Sequence, residues 1–226
     1  MPLIDPTPLI AKAPVIPVLT VDRAADAAPL ARALVAGGLP VIEVTLRTRA
    51  ALDAVHAIAA EVPDCVVGVG TVTRNADIPA ALSAGAKYLV SPGTPPALAV
   101  ALAEAPVPVV PGCATVSEAM ALIERGFTVL KFFPAEQSGG IAWLKAVAAP
   151  LPGIKFCPTG GIDMRNAGAY LALPNVISVG GSWPAPRELI AAHDFARITA
   201  LARQASGIRN QLPRCALNLY LLLPDA

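Results

Sequence analysis

Two hydrophobic rhythms alternate along the chain. Short runs of apolar, largely β-branched residues occupy 15–19, 41–46, 66–72, 88–90, 107–110, 129–133, 155–158 and 176–179. Bounded by glycine and proline, such runs read as strands buried on both faces. Between them lie alanine-rich stretches with apolar residues at helical spacing. The stretch 24–36 ends at Gly37-Gly38, a helix stop, and 50–60 is similar. Thr94-Pro95-Pro96 offers a cap followed by prolines suited to a first turn. Thr115-Val116-Ser117-Glu118 has the spacing of a capping box.

Alternating strands and helices imply parallel strands joined by crossovers. About eight such units in ~200 residues predict an α/β fold, a (β/α)8 TIM barrel built as a single domain. A doubly wound open sheet suits the chain less well: no GxGxxG follows the first strand, and the units recur evenly. The barrel is expected over 1–205. The tail 206–226 holds Pro213 and the run Leu217-Asn218-Leu219-Tyr220-Leu221-Leu222-Leu223, and it continues no strand–helix rhythm. Covering a barrel face, lining a subunit contact and disorder are the alternatives for it.

Composition narrows the function classes. The 226 residues suffice for one sizeable core. A net charge of +1 without a basic block predicts no nucleic-acid partner. No apolar run reaches membrane-spanning length, so no membrane association is expected. The first 19 residues are broken by prolines and lack a basic n-region, unlike a signal peptide. Cys65, Cys113, Cys157 and Cys215 stand far apart, which suits reduced thiols in a cytoplasmic protein. His56 and His193 fall away from strand ends and read as surface or packing residues. No His/Asp/Glu cluster has ligand spacing, so neither a metal nor a cofactor is expected.

The candidate chemistry gathers in Thr128-Val129-Leu130-Lys131-Phe132-Phe133-Pro134. Alternation puts Val129, Lys131 and Phe133 on one face of this strand. A lysine inside a strand either finds a carboxylate, sends its head to water, or serves as a neutral nucleophile towards carbonyls. Polar groups recur at the other strand ends. Glu43, Thr45 and Arg47 share one face, where an internal Glu43–Arg47 ion pair is the alternative to a polar centre. Thr71 and Thr159 follow two further strands; a hydroxyl satisfied by backbone is the alternative for each. Diglycine turns, Gly160-Gly161 and Gly180-Gly181, follow the last two strands, where barrels often hold phosphate on backbone N–H groups.

These segments resemble a known family. Leu34-Val35-Ala36-Gly37-Gly38, Ile42-Glu43-Val44-Thr45-Leu46-Arg47-Thr48, Gly68-Val69-Gly70-Thr71-Val72, Lys131-Phe132-Phe133-Pro134-Ala135-Glu136, Phe156-Cys157-Pro158-Thr159-Gly160-Gly161 and Gly180-Gly181-Ser182-Trp183 are similar to 2-keto-3-deoxy-6-phosphogluconate (KDPG) aldolase, which also cleaves 4-hydroxy-2-oxoglutarate. The likeness runs over about 14–205. It implies a class I, metal-independent lyase of the Entner–Doudoroff pathway, a homotrimer acting on pyruvate and a phosphorylated 2-keto acid. It places the Schiff-base lysine at Lys131 and the acid/base glutamate at Glu43, acting on the substrate's C4 hydroxyl through a water. It places carboxylate contacts at Arg47, Thr71 and Thr159, and pocket walls at Pro92 and Phe133. Phosphate contacts fall on Gly160, Gly161, Gly180, Gly181 and Ser182. Arg47 is expected near the amine. Cys113-Ala114 and Val69 depart from the common pattern without removing a reacting group, and the residues after Trp183 diverge. A phosphosugar isomerase or epimerase with Glu43 as base, and a catalytically silent metabolite-binding module, are the competing readings.

Overall fold

The computed structural model describes residues 3–211. Strands β1 (Val15–Leu19), β2 (Val41–Thr45), β3 (Val66–Gly70), β4 (Leu89–Val90) and β5 (Val109–Val110) pair in parallel, each with its neighbour. β6 (Gly112–Cys113), β7 (Val129–Phe132) and β8 (Lys155–Pro158) form a second parallel ladder. β9 (Val179–Gly181) pairs with β1.

The two ladders are parts of one ring. Pro111 interrupts what is otherwise a continuous strand from β5 into β6, because proline has no N–H for the ladder. Its carbonyl still accepts from Lys131 N–H at 2.9 Å. Bridges Phe156↔Val176 and Thr159↔Gly180 join β8 to the β9 segment. The predicted barrel is therefore present, with β5 and β6 as halves of one stave.

Two apolar layers follow from strand alternation. Val15, Leu19, Ile42, Val44, Val67, Leu130 and Phe132 point outward and pack under the helices. Ile16, Val41, Tyr88, Val90, Val110, Val129 and Ile177 point inward, where Ile10 joins them from the short helix Thr7–Ile10 before β1. The capping box forms as predicted: Glu118 N–H donates to Thr115 Oγ1 at 3.3 Å and Thr115 N–H to Glu118 Oε2 at 3.0 Å, opening the helix Val116–Glu124.

Two expectations shift. The last strand runs Val179–Gly181, so Gly180 and Gly181 are strand residues rather than a turn. Close packing requires them: a Cβ on Gly180 would collide with Thr159, and one on Gly181 with the Trp183 ring. Gly160 and Gly161 do form a turn, at φ +103° and +74°, a region that favours glycine. Beyond residue 205, the helix Phe195–Ser206 leads into a 3-10 turn, Ile208–Gln211. Ile208 is buried there, and Arg209 donates to the carbonyls of Ala11 and Ile177. Pro213, Cys215 and the apolar run 217–223 lie outside the described residues.

Candidate active site

Lys131 lies on the inward face of β7, and Glu43 on the inward face of β2, across the barrel. Their side chains meet directly: Nζ donates to Glu43 Oε1 at 2.9 Å and to Oε2 at 3.2 Å. The side chains are only 6% and 5% exposed, so the pair is cut off from water. The chain is cleared around both groups. Glu43 is flanked in register by Val18 and Gly68. A side chain on Gly70 would overlap the Glu43 carboxylate, and one on Gly68 the ring of Tyr88. Small residues at these two positions of β3 are what leave room for a carboxylate and a phenol in the interior. The Tyr88 hydroxyl is spent on the Ile42 carbonyl at 2.8 Å. Burial and then the charge of Glu43 push its ionisation well above the usual phenol range. It stays a neutral wall.

β7 is set against β6 by Gly112↔Lys131. Ser91, Thr94 and Gly112 brace that junction: Gly112 N–H donates to Ser91 Oγ at 3.1 Å, and Thr94 Oγ1 to the Gly112 carbonyl at 2.8 Å. Pro92 packs its backbone against Gly112, leaving no space there for a Cβ. On the other side, Lys131 is in register with Cys157. Burial pushes the Cys157 thiol up to about 12 despite the opposing charge of Lys131, so it remains protonated beside the amine. The thiol is therefore a neutral neighbour of the amine.

Above the pair, at the C-terminal strand ends, a cavity of about 520 Å³ opens. Arg47, Phe133, Thr159, Gly160, Gly161, Gly181 and Ser182 all line it. Phe133 links the two levels, with its ring centroid 5.6 Å from Lys131 Nζ. Thr159 is buried, with Oγ1 donating to the Cys157 carbonyl at 3.4 Å. Lys131 and Glu43 lie beneath this cavity rather than in its lining. Thr71, Pro92 and Gly180 are also outside the lining. Thr71 follows β3 with φ +63°, a left-handed conformation unusual for a branched residue. Gly180 is covered by Thr159.

Glu43 contacts Lys131 directly, and the internal Glu43–Arg47 ion pair weighed as an alternative does not form. β2 ends at Thr45, and Arg47 N–H turns back to the Thr45 carbonyl at 2.8 Å, so strand alternation no longer governs where Arg47 goes. It stands exposed on the cavity wall. Thr45 itself stays inward and donates to the Leu19 carbonyl at 2.8 Å. Sequence reasoning did not single out Val18, Thr20, Arg187 and Glu188, which share the lining. A signal was available for Val18 and Thr20, at the end of β1, where barrel chemistry gathers, whereas Arg187 and Glu188 open the helix Arg187–Ala191, several residues past β9. Both histidines stay away from the site. His56 is exposed on the helix Ala51–Glu61, and His193 Nε2 sits 3.0 Å from Asp26. Among the described residues no group of three His, Cys, Asp or Glu side chains could hold a metal, and no helix is long and apolar enough to cross a membrane.

Residues 7–201 match the family described as "Aldolase: KDPG and KHG aldolase". The chain belongs to this family. It is 47% identical over 197 residues to the KHG/KDPG aldolase of Escherichia coli K12, covering 87% of this chain and 92% of that one. Among solved structures, the KDPG aldolase of Legionella pneumophila superposes with a TM-score of 0.88 at 44% identity, covering 90% of this chain and 98% of that one. That structure holds pyruvate captured at low pH as a covalent carbinolamine. The KDPG aldolase of Zymomonas mobilis ZM4, solved with 3-phosphoglycerate, superposes with a TM-score of 0.83 at 43% identity and covers 89% of this chain and 95% of its own. The family resemblance carried by six short segments therefore extends over most of this aldolase chain.

Proposed function

We infer that this chain is a class I aldolase cleaving KDPG to pyruvate and glyceraldehyde 3-phosphate in the Entner–Doudoroff pathway, and 4-hydroxy-2-oxoglutarate to pyruvate and glyoxylate. The observation that carries this reading is a buried amine held 2.9 Å from a single carboxylate, beneath a cavity with polar groups on its walls. An electrostatic lysine, as an isomerase would use, would face the anionic substrate rather than be paired below it.

The mechanism follows from that geometry. Glu43 takes a proton from the Lys131 ammonium along their hydrogen bond, freeing the amine's lone pair. Nζ attacks the C2 carbonyl of the 2-keto acid, forming a carbinolamine. Glu43 returns the proton to the carbinolamine hydroxyl, which leaves as water and gives an iminium. The Glu43 carboxylate then removes the C4 hydroxyl proton. The C3–C4 bond breaks, its electron pair moves into the iminium, and the aldehyde departs. Protonated Glu43 delivers its proton to C3 of the enamine. Water hydrolyses the resulting pyruvyl iminium and restores the amine.

Arg47 and Thr159, on the cavity wall, take the substrate carboxylate, a group that a planar guanidinium fits in two-pronged fashion. Thr71 and Pro92 shape the site from behind its lining. The Gly160-Gly161 turn and Ser182 take the phosphate, with Gly180 and Gly181 giving the backbone room. Binding at the remote phosphate helps hold the reacting carbon at the amine. The buried free thiols Cys65, Cys113 and Cys157 suit a reducing cytoplasmic setting. Val116 and Met120, 38% and 57% exposed one helical turn apart, support burial against further copies in a homotrimer.

Borohydride reduction in the presence of pyruvate tests the reading. Mass spectrometry is expected to find a reduced pyruvyl adduct on Lys131. An unmodified Lys131 would leave the isomerase and silent-binder alternatives.

A further inference from the structure

Arg187 sits on a wall shared by two spaces. On one side it lines the large cavity with Gly160, Gly161, Gly181 and Ser182. On the other it lines a recess of about 160 Å³ with Asp22 and Arg23. Its guanidinium is engaged on the recess side. Nη2 lies 2.8 and 2.7 Å from the two Asp22 carboxylate oxygens, and Nε lies 3.3 Å from Oδ2. This two-pronged pair ties the loop after β1 to the segment after β9.

We propose that Arg187 is a specificity residue that exchanges partners, leaving Asp22 for the phosphate of a bound substrate. The inference rests on the aldolase reading and names a side chain for the phosphate end of its site. Three observations carry it. The Arg187 and Asp22 side chains are 62% and 55% exposed, so their attraction is screened by water and readily replaced. The fork that grips two carboxylate oxygens also matches two oxygens of a phosphate, which carries more charge. The cavity side already presents the Gly160-Gly161 turn and Ser182, so the guanidinium would add charge where backbone groups supply only dipoles. Glu188 is the acidic group on that lining and Arg47 the other basic one. A phosphate placed there therefore gains from a second cation that offsets Glu188. Asp22 competes with that phosphate for the guanidinium.

The test is the ratio of kcat/KM for KDPG to that for 4-hydroxy-2-oxoglutarate, measured on the full chain. Loss of a charged hydrogen-bond donor in Arg187→Gln is expected to lower this ratio about tenfold or more, mainly through KM for KDPG. Arg187→Lys is expected to fall between, because it keeps the charge without the fork. Asp22→Asn removes the competitor and is expected to raise the ratio. Equal losses on both substrates in Arg187→Gln would mark a structural role and overturn the proposal, as would an unchanged ratio. A ratio in Asp22→Asn at or below that of the unmodified chain would overturn the exchange. Borohydride trapping of pyruvate on the unmodified chain separates the two levels. A Lys131 adduct with an unaltered Arg187→Gln ratio sinks this proposal alone, whereas no adduct sinks the aldolase reading together with it.

Discussion

Lys131–Glu43 and Arg187–Asp22 are both pairs of opposite charges, the first across the barrel and the second between the segments after neighbouring strands β1 and β9, at 2.9 Å and 2.7 Å. Contact distance hardly distinguishes them, but surroundings do. The first pair is nearly sealed from water; the second is more than half exposed. Desolvation makes the interior pair costly to form and severe to break, because removing one member strands a charge in an apolar setting. Water makes the rim pair weak and interchangeable. The interior pair is therefore suited to moving a proton, and the rim pair to changing partners.

The sharpest way to break this contrast is Lys131→Met. Cleavage of both substrates is expected to vanish, and unfolding in denaturant is expected to show a loss of ~3–5 kcal/mol from an unpaired buried charge. Replacing both members, Glu43→Met with Lys131→Met, is expected to recover most of that stability without activity. A double variant no more stable than the single one would show that the pair itself holds the fold together. Next in size, Glu43→Gln keeps the shape but cannot carry the proton. Turnover is expected to fall ~100-fold or more, while slow trapping of pyruvate on Lys131 persists. Full turnover in a normally folded variant would remove Glu43 from the chemistry.

A smaller effect concerns other buried groups. Burial pushes the thiols of Cys65, Cys113 and Cys157 from 9.0 up to about 12. The unfolded chain releases these protons first, so this stabilisation is complete below pH 9.0 and declines as pH climbs towards about 12. Melting temperature should therefore drop on the alkaline side, and more gently in Cys157→Ala; identical slopes would discount that thiol. The smallest effect is expected on the surface. Arg165 and Asp163 approach to 2.5 Å, yet Arg165 is 89% exposed. Arg165→Ala should leave the melting temperature within experimental scatter, and a clear drop would contradict the ranking by burial.

Much of the scaffold could be read from apolar periodicity. The stretches 15–19 and 155–158 are strands as expected, and Thr115 to Glu118 cap their helix. Lys131 stood out because a charge interrupts an apolar strand. Glu43 stood out for the same reason, but its direct contact with Lys131 did not, since the two are 88 residues apart and only ring closure brings β2 and β7 face to face. The Glu43–Arg47 ion pair fails because alternation ends with β2 at Thr45 and Arg47 lies in the turn beyond it. Gly180 and Gly181 resembled a loop, since diglycine usually marks one. Here they are strand residues stripped of side chains to admit Thr159 and Trp183, a reason visible only once the neighbours are in place.

Tyr88 has a consequence for the order of events. Its ring occupies the space Gly68 leaves empty, and below it Ile10, Ile16, Val41, Val129 and Ile177 fill the lower bore. The barrel is thus a stoppered tube with one mouth. A substrate tethered at its depth by one end must let its outer fragment escape before the inner one can follow, so the aldehyde precedes pyruvate out. In the proposed mechanism the covalent hold on pyruvate and the filled bore beneath it act in the same sense, so the aldehyde leaves first.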